Sequence, residues 1–99
     1  MEMLDQLTAL GMTEYEARVY LALLSDHPAT GYQISRVAGI PRSMVYEALG
    51  RLEVRGAVLK SPEEKATLYR PVAPDVLLDR YEAEAQRRTR VLREGLAPL

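Results

Sequence analysis

Ninety-nine residues, 47% of them apolar and 27% charged, make one small globular domain with a radius of gyration near ~13 Å, excluding a two-domain enzyme, a disordered chain and a fibrous repeat. With no cysteine and one histidine, His27, a disulfide framework, a thiolate metal site and a zinc cluster are excluded, and no cofactor is expected. The net charge of −1 argues against a nucleic-acid partner, but it is unevenly spread: residues 1–30 hold one base, Arg18, against five acids, whereas residues 31–60 hold Arg36, Arg42, Arg51, Arg55 and Lys60 against Glu47 and Glu53.

Met3, Leu4, Leu7 and Leu10 recur at helical spacing and stop at Gly11, which predicts a short first helix with a glycine cap. This N-terminus has no basic segment, and no apolar run reaches the ~18 residues of a membrane span; the chain reads as cytoplasmic. Thr13-Glu14-Tyr15-Glu16 has the spacing of a capping box, in which the Thr13 hydroxyl accepts from the Glu16 amide and the Glu16 carboxylate returns to the Thr13 amide. The helix it opens runs to about Asp26, with Val19, Ala22 and Leu23, beside Tyr15 and Tyr20, as a core stripe rather than a ligand box.

His27-Pro28-Ala29 breaks the helix, and His27 reads as a loop residue. Thr30-Gly31-Tyr32-Gln33 is a second capping box. Ile34, Val37 and Ala38 carry the next helix for about two turns before Gly39-Ile40 turns the chain. Pro41 suits the first position of a fourth helix, continuing through Arg55 to Gly56. Two helices of unequal length joined by a tight glycine turn form a helix-turn-helix.

Ala57–Ser61 and Ala66–Val72 read as strands around the polar turn Pro62–Lys65, with Pro71 near a strand end because it cannot donate to a ladder. A hairpin after the second helix of the pair is a wing. Pro74-Asp75 then opens a last helix to about Leu96, roughly 33 Å long at 1.5 Å per residue. Leu78, Tyr81, Ala85, Leu92 and Leu96 lie along one side of it, interrupted by Arg88. The stripe buries either against a twofold partner or back over its own domain. The expected fold is mainly α with a small β-hairpin: a winged helix-turn-helix over residues 1–73 and a C-terminal helix over 74–99, a dimerisation element in the first alternative.

On a wheel, the Pro41–Arg55 helix turns Val45, Ala48, Leu49 and Leu52 inward. The opposite face carries Ser43, Glu47, Gly50 and Val54, flanked by Arg42, Met44, Tyr46 and Arg51. The first two turns of a recognition helix reach base edges, which selects Arg42 for guanine, Ser43 as permissive, Met44 for a thymine methyl and Glu47 for cytosine N4. Tyr46 suits a phosphate, as do Tyr32, Arg36, Arg51, Lys60, Lys65 and Arg70, each with the alternative of a solvated surface group. Glu63 and Glu64 at the wing tip oppose deep insertion. No polar residue caps this helix, so the amides of Arg42, Ser43 and Met44 are open to a phosphate oxygen or to water.

The run Leu10-Gly11-Met12-Thr13-Glu14-Tyr15-Glu16-Ala17-Arg18-Val19-Tyr20-Leu21-Ala22-Leu23-Leu24 resembles the start of the DNA-binding domain of TrmB-type transcriptional regulators, and Pro41-Arg42-Ser43-Met44-Val45-Tyr46-Glu47-Ala48-Leu49-Gly50-Arg51-Leu52-Glu53 resembles their recognition helix. The likeness covers about residues 4–72. It implies a winged helix that binds double-stranded operator DNA, usually as a homodimer, in a family that often controls sugar transport or metabolism genes. Arg42, Ser43 and Tyr46 match the family's DNA-facing pattern; Met44 and Gly50 depart from its usual lysine and acid. Full-length members continue into a large effector-binding domain that has no counterpart in these 99 residues. No small-molecule effector site is therefore expected in this chain, which is either a fragment of a longer regulator or a stand-alone short form.

The competing expectation is a winged helix serving as a protein-protein interaction module. An enzyme is not expected, because no nucleophile motif or Gly-rich phosphate loop is present.

Overall fold

A computed structural model describes residues 2–99 as five helices and one hairpin: α1 (Met3–Ala9), α2 (Glu14–Ser25), α3 (Gly31–Ala38), α4 (Arg42–Val54), β1 (Val58–Pro62), β2 (Thr67–Pro71) and α5 (Pro74–Leu96). This is the winged helix-turn-helix with a long terminal helix that the sequence predicts. The radius of gyration is 15.6 Å and the principal extents are 55 × 32 × 24 Å. The excess over a compact domain comes from α5, whose residues from Glu82 onward are all exposed.

The central element is α2, which packs against α1, α3, α4 and β2. Val19, Tyr20, Ala22 and Leu23 are buried as expected, with Ala17 beside them, whereas Tyr15 faces solvent. The Tyr20 hydroxyl donates to the Val72 carbonyl at 2.7 Å, tying α2 to the chain between wing and α5. In α1 only Leu4 and Leu7 pack on the core; Met3 and Leu10 remain exposed.

The two capping boxes diverge. At α3 both halves form: Gln33 N donates to Thr30 Oγ1 at 3.2 Å and Thr30 N to Gln33 Oε1 at 2.9 Å. At α2 the Thr13 hydroxyl accepts from Glu16 N at 3.1 Å, but the Glu16 carboxylate does not return to its cap. It turns inward to 1% exposure, toward Arg55 and Arg51, because an ion pair satisfies a buried carboxylate better than one amide does.

Ile34 anchors α3 in the core, but Val37, expected on the same stripe, is 51% exposed. The inward face of α4, Val45, Ala48, Leu49 and Leu52, is buried as the wheel places it. Pro41 lies one position outside α4, as its N-cap, and Gly56 ends the following turn with φ +75°. In the hairpin Val58 pairs with Pro71 and Pro62 with Thr67, which leaves Pro71 at the strand end. Ala29 also exchanges backbone hydrogen bonds with Tyr69, at 3.1 and 2.8 Å. The segment before α3, legible only as a break, is thus stitched to the wing.

The residue that fastens α5 is Leu77, at 1% exposure, and not Leu78, at 46%. Burying such a leucine contributes about 1.5–3 kcal/mol. Tyr81 packs half-buried on the same core, so the domain's own packing uses one edge of the helix and leaves Leu78, Ala85, Leu92 and Leu96 outside. Among the described residues no helix is long and apolar enough to cross a membrane.

Candidate nucleic-acid interface

The α3–α4 pair is set by two local features. Gly39 takes the left-handed conformation, φ +70°, that ends α3, and the buried Ile40 pins the turn to the core. The tip of α4 then emerges with Arg42 and Ser43 exposed. Met44 is half-buried and packs against the core, so of the expected base-reading set it is the residue least available to a thymine methyl. Its amide donates to the Pro41 carbonyl at 3.0 Å, which corrects the expectation of three open amides to two, those of Arg42 and Ser43.

Tyr32, on the first turn of α3, faces both neighbouring arginines. The Arg42 guanidinium carbon lies 4.9 Å from the Tyr32 ring centroid and that of Arg36 lies 5.8 Å away. Arg36 Nη1 also donates to the Tyr32 hydroxyl at 3.0 Å. Among the described residues Arg42 has no carboxylate partner. Glu47 does have a partner: it accepts from Arg51 at 2.8 Å, one turn along α4, so each must leave the other to meet a base or a phosphate.

Tyr46 lies across the start of α3, with its ring so close to Gly31 that a Cβ there would meet ring atoms at 2.5 Å. This close approach explains the glycine inside a capping box. On the wing, Lys60 is 3.7 Å from Glu53, while Lys65 and Arg70 are exposed. The hairpin turn is closed by Glu63 N donating to the Ala66 carbonyl at 2.8 Å, with Ser61 donating to the Glu63 carboxylate. The structure thus brings Tyr32, Arg36, Arg42, Ser43 and Tyr46 together around the meeting of the α3 and α4 N-termini. Arg51 is turned toward acids and the wing cations lie apart on the hairpin.

Sequence reasoning missed Arg55 at the far end of α4. It donates to Gly11 O and to the Tyr81 hydroxyl, both at 2.9 Å, and its Nε lies 3.3 Å from Glu16 Oε1. One side chain thereby joins the ends of α4 and α1 to α2 and α5. No local pattern signals it, because all its partners are remote in sequence. Behind α4, burial holds the Tyr69 hydroxyl above its ordinary pKa, reinforced by the Glu53 and Tyr46 charges. Among the described residues no group of three or more His, Asp or Glu side chains is placed to hold a metal ion.

Comparison with known proteins agrees with this architecture. The model of the family described as sugar-specific transcriptional regulator TrmB matches residues 7–75. Over 84 residues the chain is 42% identical to the uncharacterized protein YrhO of Bacillus subtilis, covering 85% of this chain and 30% of that one. It is 33% identical over 83 residues to the HTH-type sugar sensing transcriptional regulator TrmBL1 of Pyrococcus furiosus, covering 84% and 24%. Among solved structures it superposes on TrmBL2, described as an archaeal chromatin protein with a novel mode of DNA binding, with a TM-score of 0.86 and 29% identity over 94% of this chain and 36% of that one. A possible transcriptional regulator from Methanosarcina mazei, at 16% identity and a TM-score of 0.76, shares the fold over 90% of this chain and 80% of its own. The chain spans less than a third of the length of the curated relatives it matches.

Proposed function

The chain belongs to the TrmB family of transcriptional regulators, and we propose that it reads a specific sequence of double-stranded DNA with the tip of α4, acting in the cytoplasm as a homodimer. The observation that carries this reading is Arg42, exposed at the start of α4 with no carboxylate partner among the described residues and flanked by Ser43 and by the Arg36 and Tyr32 side chains. Arg42 and Ser43 meet base edges in the major groove, with Glu47 joining them once it leaves Arg51. Tyr46, Arg36, Lys65 and Arg70 contact phosphates and set the register, and Lys60 joins them when it leaves Glu53.

The dimer is supported by the exposed apolar side of α5. Leu78 also borders an apolar groove of about 280 Å³ lined by Met3, Leu7, Tyr20, Leu21, Leu24, Pro74 and Leu77, so the uncovered surface runs on from α5 toward α1. Exposed apolar side chains that continue from one element to the next are where a second copy would bury its own.

Fluorescence anisotropy with oligonucleotides selected from a random pool tests the reading. Arg42→Ala is expected to weaken binding by about 1–3 kcal/mol and to relax preference at one base pair. Affinity is also expected to fall steeply with salt, as counterion release requires and as an apolar protein interface would not show. Unchanged affinity and selectivity in Arg42→Ala would remove Arg42 from the reading.

A further inference from the structure

The cluster at the α3 N-terminus separates two roles that an exposed tyrosine beside DNA can have. Tyr32 is 47% exposed, so its position is not fixed by core packing. It is placed by Arg36, one turn later on the same helix, whose guanidinium donates to the hydroxyl. The ring face is then presented across the turn to Arg42, at a distance well inside the ~6 Å at which a guanidinium is attracted to an aromatic face.

A long arginine side chain loses much rotamer freedom when it forks onto a base. A carboxylate neighbour would restrain it, but by occupying the donors that the base must receive. A ring face restrains the guanidinium through its charge and occupies none of its N–H groups. Arg42 has such a ring beside it and, among the described residues, no carboxylate.

We propose that Tyr32 is a positioning residue for Arg42: its ring, held by Arg36, orients the guanidinium for guanine, so that base preference under Arg42 depends on a side chain that touches no base. This rests on the reading of Arg42 as a base contact, and it replaces the expectation that Tyr32 is chiefly a phosphate ligand.

The test is a double-mutant cycle on the full chain, with anisotropy titrations at fixed salt against the selected duplex and against duplexes altered at the Arg42-dependent base pair. Tyr32→Phe keeps the ring face but loses the hydroxyl through which Arg36 holds it, and is expected to lose less base discrimination than Tyr32→Leu, which is expected to lose about two- to fivefold of it, the range for an exposed cation–π pair. In an Arg42→Ala background Tyr32→Leu is expected to change discrimination no further. A phosphate ligand would behave differently: both Tyr32 variants would weaken all duplexes alike, with or without Arg42, and that result overturns the proposal. So does full discrimination in Tyr32→Leu when Arg42→Ala has lost it, which leaves the base-contact reading standing. If Arg42→Ala itself discriminates normally, the base-contact reading fails and the positioning role falls with it. Tyr32 is outside the core, so unchanged circular dichroism is expected for each variant.

Discussion

Arg55 holds its Nε 3.3 Å from Oε1 of Glu16, a carboxylate at 1% exposure that has no hydrogen-bond partner on that oxygen. The contact is ionic, and Arg51 lies farther off at 4.0 Å. Removing the partner of the buried Glu16 carboxylate leaves an uncompensated charge, which costs more than the pair is worth. Arg55→Met is expected to destabilise by about 3 kcal/mol, the low end for such a deletion because its guanidinium keeps some solvent. Glu16→Met combined with Arg55→Met should recover most of that loss, since two apolar side chains need no partner. Urea midpoints at unchanged slope are the measurement; equal losses in single and double variants would show that the bonds to Gly11 and Tyr81, not the charge, hold Arg55 in place.

Alkaline pH probes a second tie. Burial raises the pKa of Tyr20 above its ordinary 10.0, helped by Tyr81, and raises Tyr69 likewise. The folded state therefore favours the neutral phenols. Their contribution is complete below about pH 10 and is lost as pH climbs through the raised folded-state values. The urea midpoint is expected to fall in that window, and to fall less in Tyr69→Phe. Tyr20→Phe should also flatten the fall, but from a lower start: without its donor the buried Val72 carbonyl costs about 1–2 kcal/mol at neutral pH. A midpoint in Tyr20→Phe equal to the parent's at pH 7 would show that water replaces the hydroxyl.

These two ties mark the boundary of what the sequence discloses. Capping residues, glycine stops and the hairpin are local, and Thr30, Gly39, Gly56 and Pro71 sit in the conformations their chemistry requires. The inward face of α4 was legible because one periodicity governs it. Glu16 was not: three residues after Thr13 it has the local look of a capping partner, and only Arg55, brought near by tertiary packing, explains why it turns inward. On α5 a one-residue ambiguity decided the outcome. Leu77 and Leu78 both fit an apolar stripe, and the first is the one sealed in the core, at 1% exposure against 46%. In the candidate interface the residue types were readable, whereas the Tyr32–Arg42 and Glu47–Arg51 pairings needed coordinates.

Gly31 links stability and DNA binding in a separable way. Its backbone is ordinary helix, so alanine adds no conformational strain, but the new methyl would strike the Tyr46 ring. Tyr46 is half-exposed and can swing outward. Gly31→Ala is therefore expected to shift stability by less than about 1 kcal/mol, alanine being the better helix former, while weakening DNA binding as Tyr46→Ala does. The double variant should bind like Tyr46→Ala alone. A large fall in the urea midpoint of Gly31→Ala would place the constraint in the fold instead of at the interface.

The dimer reading divides α5 into an inner and an outer edge that substitutions can tell apart. Leu77 is sealed in the domain, so Leu77→Ala is expected to cost about 2–5 kcal/mol of stability. Leu92 and Leu96 are 48% and 59% exposed and touch none of the core, so Leu92→Glu with Leu96→Glu should leave each protomer's fold intact. If these leucines face a second copy, buried carboxylates there would oppose association. Sedimentation at micromolar concentration should then give a dimer for the parent and a monomer for the variant. Two recognition helices on a twofold axis read half-sites about 34 Å apart. The variant should accordingly lose affinity for a duplex carrying both half-sites and bind a single half-site as the parent does. A parent that sediments as a monomer, or a variant that stays dimeric, takes the interface away from this face of α5.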